Sequence, residues 1–219
     1  MQPPAQEPPI EPRWHIALAI FAVVLILVFL PRRIMLFPAW FPYFLGSLVL
    51  APMVGVSMAT EKGRWLRLER TITLLFFLVT GTGTLMNLGN LIRAMIHRPE
   101  EISGMQLLTS SIGVWITNVL AFSLLYWQID RGGPEARSSG AGKRPEWLFP
   151  QAGTQEQGQP EWRPQFIDYL FLSYSTSTAF SATDVAPLSA RAKLLMMFES
   201  SISLLTILLV AARAVNILG

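Results

Sequence analysis

Long runs of apolar residues, separated by short polar and basic segments, make up the chain as far as about residue 130. Four of these runs approach the roughly 20 residues that cross about 30 Å of hydrocarbon. They cover residues 14–30, 41–59, 72–96 and 105–129. The pattern predicts a four-helix transmembrane region between residues 14 and 129.

The third run carries a set of polar side chains at helical spacing. Thr80, Thr84, Asn87 and Asn90 are three or four residues apart, so they form one stripe on a helix. Asn87 and Asn90 are therefore candidate intramembrane polar residues. A basic segment that precedes this run is predicted as a loop; it contains Lys62, Arg64, Arg67 and Arg70.

Two hydrophilic segments lie outside the apolar runs. Residues 1–13 contain five prolines and are predicted to be a disordered tail. Residues 130–164 are rich in Gly, Pro and Gln with mixed charge, and are predicted to be a flexible linker. Within it, Trp147, Leu148 and Phe149 are expected to dip into the membrane interface or to dock on a neighbouring chain.

Residues 165–219 show a different pattern. An aromatic and apolar run, Phe166 to Leu172, leads into residues 173–183, of which seven are Ser or Thr. A helix from Pro164 to about Ser177 is only roughly 20 Å long, and a polar irregular segment cannot face lipid because its backbone groups would lack partners. The pattern predicts a re-entrant half-helix, a return loop and a last transmembrane helix over 188–218. The expected fold is thus an all-α membrane protein with about five transmembrane helices and one re-entrant pore-type half-helix.

The hydroxyl-rich return suggests a cation path. The C-terminal carbonyls and negative dipole end of a half-helix favour a cation, and hydroxyl oxygens add hard ligands. In the alternative interpretation these hydroxyls bond to their own helix and to neighbouring helices. Asp184 fits a charged pore mouth, or equally a helix cap for the last span. The candidate pore or filter-like residues are Thr176, Thr178, Ser181, Thr183 and Asp184.

The last apolar helix contains one acid. Glu199 shares a heptad-like face with Ser203, Thr206 and Arg213. An ionisable group at this depth is a functional candidate because its burial costs several kcal/mol. The alternative is a structural role, with Arg93 or an Asn of the third run as the interhelical partner.

Composition supports membrane insertion and narrows the chemistry. Apolar residues make up 52% of the 219 residues and charged residues only 14%, with a mean hydropathy of +0.42. The isoelectric point near 9.6 reflects basic loops that face lipid headgroups, so no nucleic-acid partner is expected. The chain has no cysteine, and its two histidines, His15 and His97, are at span boundaries. We therefore expect no enzyme activity, no metal site and no cofactor.

The order of features in the last third resembles the pore module of two-helix potassium channels. Shared features are a linker, an aromatic half-helix, a Thr-rich return, an Asp, a Pro and a helix with an early Glu. The glycine-bearing core of the channel filter is replaced here by residues 179–183, which contain no glycine and make the segment one residue longer. The matching positions are Thr176, Thr178, Asp184, Pro187, Arg191, Glu199 and Arg213.

The whole architecture is also similar to a family of multi-pass bacterial inner-membrane proteins without an assigned activity. These have four helices, then a Tyr-Phe-Ser-Phe-Thr segment with a later Ser-Asp or Thr-Asp, and one last helix. The segment from Tyr169 to Thr176, the pair Thr183-Asp184 and Asn216 carry this similarity. It implies a multi-pass protein of the cell inner (plasma) membrane.

Together these resemblances imply a homo-oligomer in the lipid bilayer, a tetramer if it is a pore, with a monovalent cation as the transported ion. The alternative is a non-conducting structural or accessory membrane protein that kept the pore fold and lost the filter. Orientation stays open: the basic segment at 62–70 places the N-terminus and the linker inside, whereas the channel resemblance places the linker outside.

Overall fold

Helices account for most of the described chain. The computed structural model describes residues 14–29, 38, 40–58, 62–97, 104–138, 143–153, 162–178 and 184–218. The α-helices in these ranges are α1 (Trp14–Phe29), α2 (Phe41–Met58), α3 (Lys62–His97), α4 (Gly104–Ile129), α5 (Pro134–Ser138), α6 (Phe166–Thr178) and α7 (Ala190–Leu218). The tail predicted at residues 1–13, and the candidate residues Ser181 and Thr183, lie outside the described residues.

Among the described residues, three helices are long and apolar enough to cross a membrane. The qualifying segments are Trp65–Arg93 in α3, Gly104–Gly132 at α4, and Ala190–Ala212 in α7. The chain is therefore a largely α-helical membrane protein. Helices α1 and α2 are apolar but shorter, with 16 and 18 residues, and α2 contains Pro52.

Helix α3 begins earlier than the sequence predicts, because the basic segment that was expected to be a loop is its first turns. Arg67 and Arg70 are exposed on this part of the helix, and Glu69 between them is buried. The charged face can thus point away from the protein while the helix continues into its apolar part. The polar stripe further along is on the buried side: Thr80 and Asn87 are almost fully enclosed.

Helix α4 is the central element. It packs against α1, α3, α6 and α7, and 72% of its apolar segment is buried, compared with 33% for α3 and 22% for α7. Its last turns bring Phe122, Tyr126 and Trp127 into the main core. The difference in burial identifies α7 as an outer helix whose apolar surface is free for lipid or a second chain.

The segment predicted to be a flexible linker is folded where the structure describes it. After α4 the chain turns sharply at Arg131, Gly132 and Gly133, which have φ angles of 51°, 91° and 105°. Two successive glycines suit this turn because they have no Cβ to clash in the left-handed region. Helix α5 follows, then strand β1 (Trp147–Leu148) and a 3₁₀ turn, Pro150–Gly153.

The aromatic residues of this segment pack on their own chain. Trp147 and Phe149 are buried, with their rings 4.7 Å from the ring of Tyr126 and 5.4 Å from that of Tyr169, respectively. Only Leu148 between them is exposed. Side chains therefore alternate between buried and exposed positions along these three residues. The sequence alone had suggested that they contact the membrane interface or a neighbouring chain.

A two-stranded antiparallel pairing connects this segment to the start of α7. Strand β2 (Ala186–Pro187) pairs with β1, with Trp147 opposite Pro187 and Leu148 opposite Ala186. The pairing holds the start of α7 close to the segment that follows α4, where the Leu188 N–H donates to the Glu146 carbonyl and the Glu146 N–H donates to Asp130.

Helices α6 and α7 run in the same direction, opposite to α4. Near its start, α6 bonds to the residue that follows α4, through Tyr169 and Asp130; near its end it contacts Trp115, about four turns back along α4. Helix α7 meets α4 in the same order, first at Tyr126 and then at Asn118. The two parallel helices are joined by residues 179–189, part of which is β2.

Candidate functional site

The carboxyl group of Glu199 is fully buried where α4, α6 and α7 meet. The Tyr126 hydroxyl donates to Oε2 at 2.6 Å, and the Ser177 hydroxyl donates to Oε1 at 2.9 Å. Ser173 Oγ is also in hydrogen-bond contact with Oε1. We call these four residues the Glu199 cluster.

Helix periodicity assembles this cluster. Ser173 and Ser177 are four residues apart, so both project from one face of α6 onto α7. Tyr126 approaches from α4, on the other side of the carboxyl group. The two serines of α6 contact only Oε1, and Tyr126 of α4 contacts only Oε2. Both carboxyl oxygens therefore have partners only because the three helices meet at this point.

Asn118 of α4 extends the polar contact one turn further along α7, and sequence reasoning missed it. Its side-chain nitrogen donates to the backbone oxygen of Glu199 at 3.2 Å and to Ser203 Oγ at 3.0 Å. Its burial at 2% exposure shows that it faces the protein. An amide in the middle of a membrane-spanning helix is a signal that could have identified it.

The predicted interhelical partners of Glu199 are not the ones found. Among the described residues, neither Arg93 nor an Asn of α3 bonds to Glu199; its partners are hydroxyl groups of α4 and α6. Arg93 is exposed, Asn90 is half-buried, and Asn87 is buried with its Oδ1 lacking a hydrogen-bond partner in the described structure. The side chain of Arg213 lies outside the described residues.

Several candidate hydroxyls bond to their own helix, as one of the two interpretations predicted. The Thr176 hydroxyl donates to the Leu172 carbonyl at 2.8 Å, and the Thr178 hydroxyl donates to the Ser175 carbonyl at 3.1 Å. On α7, Thr206 bonds to the carbonyl four residues earlier at 2.8 Å. Each of these three hydroxyl groups therefore donates its proton within its own helix.

The last carbonyls of α6 also have partners within the chain. The Ser177 carbonyl accepts from Trp115 Nε1 at 3.4 Å, and the Thr176 carbonyl accepts from the Ser200 hydroxyl at 3.1 Å. A helix end normally leaves such carbonyls unpaired. Here α4 and α7 supply part of that pairing.

Asp184 is exposed and does not cap α7. The cap is Ser189, whose Oγ accepts from the backbone N–H of Ala192 at 3.0 Å, in the manner of an N-cap residue. Ser189 Oγ also bonds to a carboxyl oxygen of Glu146, just before β1. Of the two roles expected for Asp184, the helix cap is therefore taken by another residue.

A second buried polar cluster holds the other end of α6. Asp130 is fully enclosed, and its carboxyl oxygens accept from the Tyr169 hydroxyl at 2.6 Å and from the Glu146 backbone N–H at 2.7 Å. The Arg137 guanidinium donates to the carbonyls of Trp127 and Asp130, at 2.7 and 3.0 Å. It also lies 5.1 Å from the centre of the Tyr169 ring, in a cation–π arrangement.

A cavity of about 400 Å³ lies between α4 and α7, where α6 ends. Its lining is mostly apolar and includes Trp115, Thr178 and Thr206. Ser111 also lines it, and its Oγ is buried without a hydrogen-bond partner in the part of the chain that the structure describes. In the same part there is no group of three or more His, Cys, Asp or Glu side chains that could hold a metal ion.

Comparison of the chain with protein-family models, with curated proteins and with solved structures finds no match. The functional interpretation therefore depends on the geometry of α4, α6 and α7.

Proposed function

We propose that the chain is an integral membrane protein whose last third is a channel-type pore module. In this proposal α6 enters the bilayer partway, residues 179–185 return to the side of entry, and α7 crosses. Copies of the chain assemble around a common axis and provide a path for a monovalent cation. The observation that carries the proposal is the parallel course of α6 and α7.

The lengths of α6 and of the segment that follows it are compatible with a return to the side of the membrane at which α6 enters. Helix α6 has 13 residues and is about 20 Å long at 1.5 Å per residue. A fully extended chain of seven residues, the number in 179–185, can reach roughly 23 to 25 Å, which is enough for the way back. The pairing of β2 with β1 beside the end of α4 supplies the point to which the chain returns.

A single chain cannot enclose a path, so the proposal requires symmetry. Helix α7 presents apolar side chains outward, and these would contact lipid or neighbouring copies. The more exposed ones include Leu194, Met197, Leu204 and Leu208. Helices α1 and α2 are proposed to cross as well, with local thinning of the bilayer that suits their short length, which makes five crossings.

A non-conducting structural protein is the second candidate, and one observation favours it. The carbonyls of Thr176 and Ser177, at the end of α6, already accept hydrogen bonds from Ser200 and Trp115 within the chain. Groups that coordinate a passing cation need free lone pairs facing the path. This candidate keeps the same return of residues 179–185 but forms no path.

Cysteine labelling tests the return, because the chain contains no natural cysteine. Gln165→Cys, Asp184→Cys and Met105→Cys, each exposed, are labelled in sealed vesicles with a membrane-impermeant maleimide. The proposal expects positions 165 and 184 to react from one side and position 105, at the opposite end of α4, from the other. Reaction of 165 and 184 from opposite sides would mean that α6 is part of a complete crossing, and the proposal would be abandoned.

Flux measurements separate the two candidates. Purified protein in liposomes is tested for potassium and sodium flux, and its oligomeric state is measured in mild detergent. A pore predicts an oligomer with flux that Asp184→Asn lowers, because the carboxylate concentrates cations, while Glu135→Gln, an exposed change beyond the same end of α4, leaves it unchanged. A monomer without flux identifies the structural candidate.

A further inference from the structure

The contacts within the Glu199 cluster indicate how many hydrogen atoms its polar groups share. Ser173 Oγ lies 2.7 Å from the backbone oxygen of Val119 and is also in contact with Oε1 of Glu199. A hydroxyl group has one proton to donate, and a carbonyl oxygen has none. If Glu199 were a carboxylate, one of the two contacts of Ser173 would be between two acceptors with no hydrogen between them.

One added proton resolves the conflict. With a proton on Oε1, Glu199 donates to Ser173 Oγ, and Ser173 donates to the Val119 carbonyl. Ser177 still donates to Oε1, and Tyr126 donates to Oε2. Every polar atom of the cluster then has a partner of the correct type, which a buried network requires for stability.

Among the described residues, no positively charged group bonds to Glu199 to compensate a negative charge. Tyr126 is the titratable group that faces it from α4, and α6 contributes two neutral serine hydroxyls. On α3, which also packs on α7, Arg67, Arg70 and Arg93 are exposed, and no Lys, Arg or His bonds to Glu199 among the described residues. An unpaired buried carboxylate costs several kcal/mol, whereas a neutral acid with hydrogen bonds does not.

We infer that Glu199 binds a proton in the folded protein and acts as a neutral acid, donating to Ser173, which in turn donates to the backbone oxygen of Val119. This proton-binding site connects α7 to α6 and α6 to α4 in one chain of hydrogen bonds. It does not depend on the proposed conduction. In a conducting oligomer it would exclude Glu199 as a ligand of the passing cation.

Infrared spectroscopy of the full-length chain in lipid nanodiscs at neutral pH tests this inference. The wild-type protein, labelled with ¹³C-glutamate, is expected to show a carboxylic-acid C=O band that the label shifts. Glu199→Gln should remove this band, whereas Asp184→Asn should remove only carboxylate absorption. Absence of a glutamate acid band in the wild type overturns the inference even where the Gln variant fails to fold, and so does an acid band that keeps its full wild-type intensity in a folded Gln variant.

Ser173→Ala distinguishes the specific donation from burial alone. The variant removes the acceptor of the Glu199 proton, so the acid C=O band should move to higher frequency as the hydrogen bond weakens. Ser201→Ala, an exposed change on α7, should leave the band in place. An unchanged band in folded Ser173→Ala would show that Glu199 does not donate to Ser173 and would contradict the inferred chain.

Discussion

The hydroxyl group of Tyr169 donates a 2.6 Å hydrogen bond to the carboxyl group of Asp130. Both residues are fully buried, one in α6 and the other directly after α4. This bond fixes the start of the short helix to the end of the central helix, while the Glu199 cluster holds its other half. Two buried polar contacts, one near each end of α6, therefore add to the packing of its apolar side chains in the core.

Tyr169→Phe should destabilise the protein by about 1.5–3 kcal/mol, because it leaves the buried carboxyl group of Asp130 with one donor, the Glu146 amide. Unfolding in a denaturing detergent titration measures the loss. Tyr174→Phe is the matched control: its side chain is half exposed, and the change should stay within about 0.5 kcal/mol. Equal effects of the two changes would show that the bond to Asp130 contributes little.

Arg137→Lys should loosen the segment that follows α4. The planar guanidinium donates to two carbonyls and lies against the Tyr169 ring, and an ammonium group cannot reproduce that geometry. We expect a loss of about 1.5–3 kcal/mol per charged hydrogen bond that is not replaced, and faster proteolysis within residues 143–153. Arg144→Lys, at an exposed position, is the control. The role assigned to Arg137 fails if both variants are cleaved at the wild-type rate.

Glu199→Ala should reduce stability by about 3 kcal/mol or more, since it removes the acceptor of buried hydroxyls and leaves a cavity. Glu199→Gln should cost much less, because an amide of the same shape can donate and accept in the same places. Unfolding and protein abundance in the membrane are the measurements. Asp184→Ala, at an exposed acid, should have little effect. A Gln variant as unstable as the Ala variant would contradict the arrangement of donors described here.

Two serine-to-alanine changes should differ in their effect on stability. Ser173→Ala removes a hydroxyl with two partners and should cost about 1–3 kcal/mol. Ser111→Ala removes a buried hydroxyl that has no hydrogen-bond partner among the described residues, so it should be neutral or stabilising. Thermal unfolding in the same detergent compares them. Equal destabilisation by both changes would mean that Ser111 has a partner, such as a lipid or water in the cavity.

The extent of the C-terminal helices was largely predictable from the sequence. The helix expected from Pro164 to about Ser177 matches the extent of α6, Phe166–Thr178, and the expected last helix over 188–218 matches the extent of α7, Ala190–Leu218. Both predictions depend on local information: apolar periodicity, proline, and clusters of hydroxyl residues. Such signals lie within one turn or two of the element that they define.

The predictions that differ from the structure involve segments whose composition is ambiguous. The basic residues before the third apolar run were expected to form a loop, but arginine and lysine are good helix formers, and their long side chains can remain exposed on α3. The segment around Trp147 has the composition of a flexible linker, yet two buried aromatic side chains and Arg137 fold it onto α4. The stabilising contacts are made with residues outside the segment.

The sequence by itself determined that this is a membrane protein made mainly of helices, because insertion depends on the summed hydropathy of contiguous residues. It also identified Glu199 as exceptional. Only the tertiary structure decided what surrounds that acid: Tyr126 is 73 positions away in the chain, and Ser173 is 26. Helix packing sets these contacts by matching side-chain shapes across three helices, and no window along the sequence contains that information.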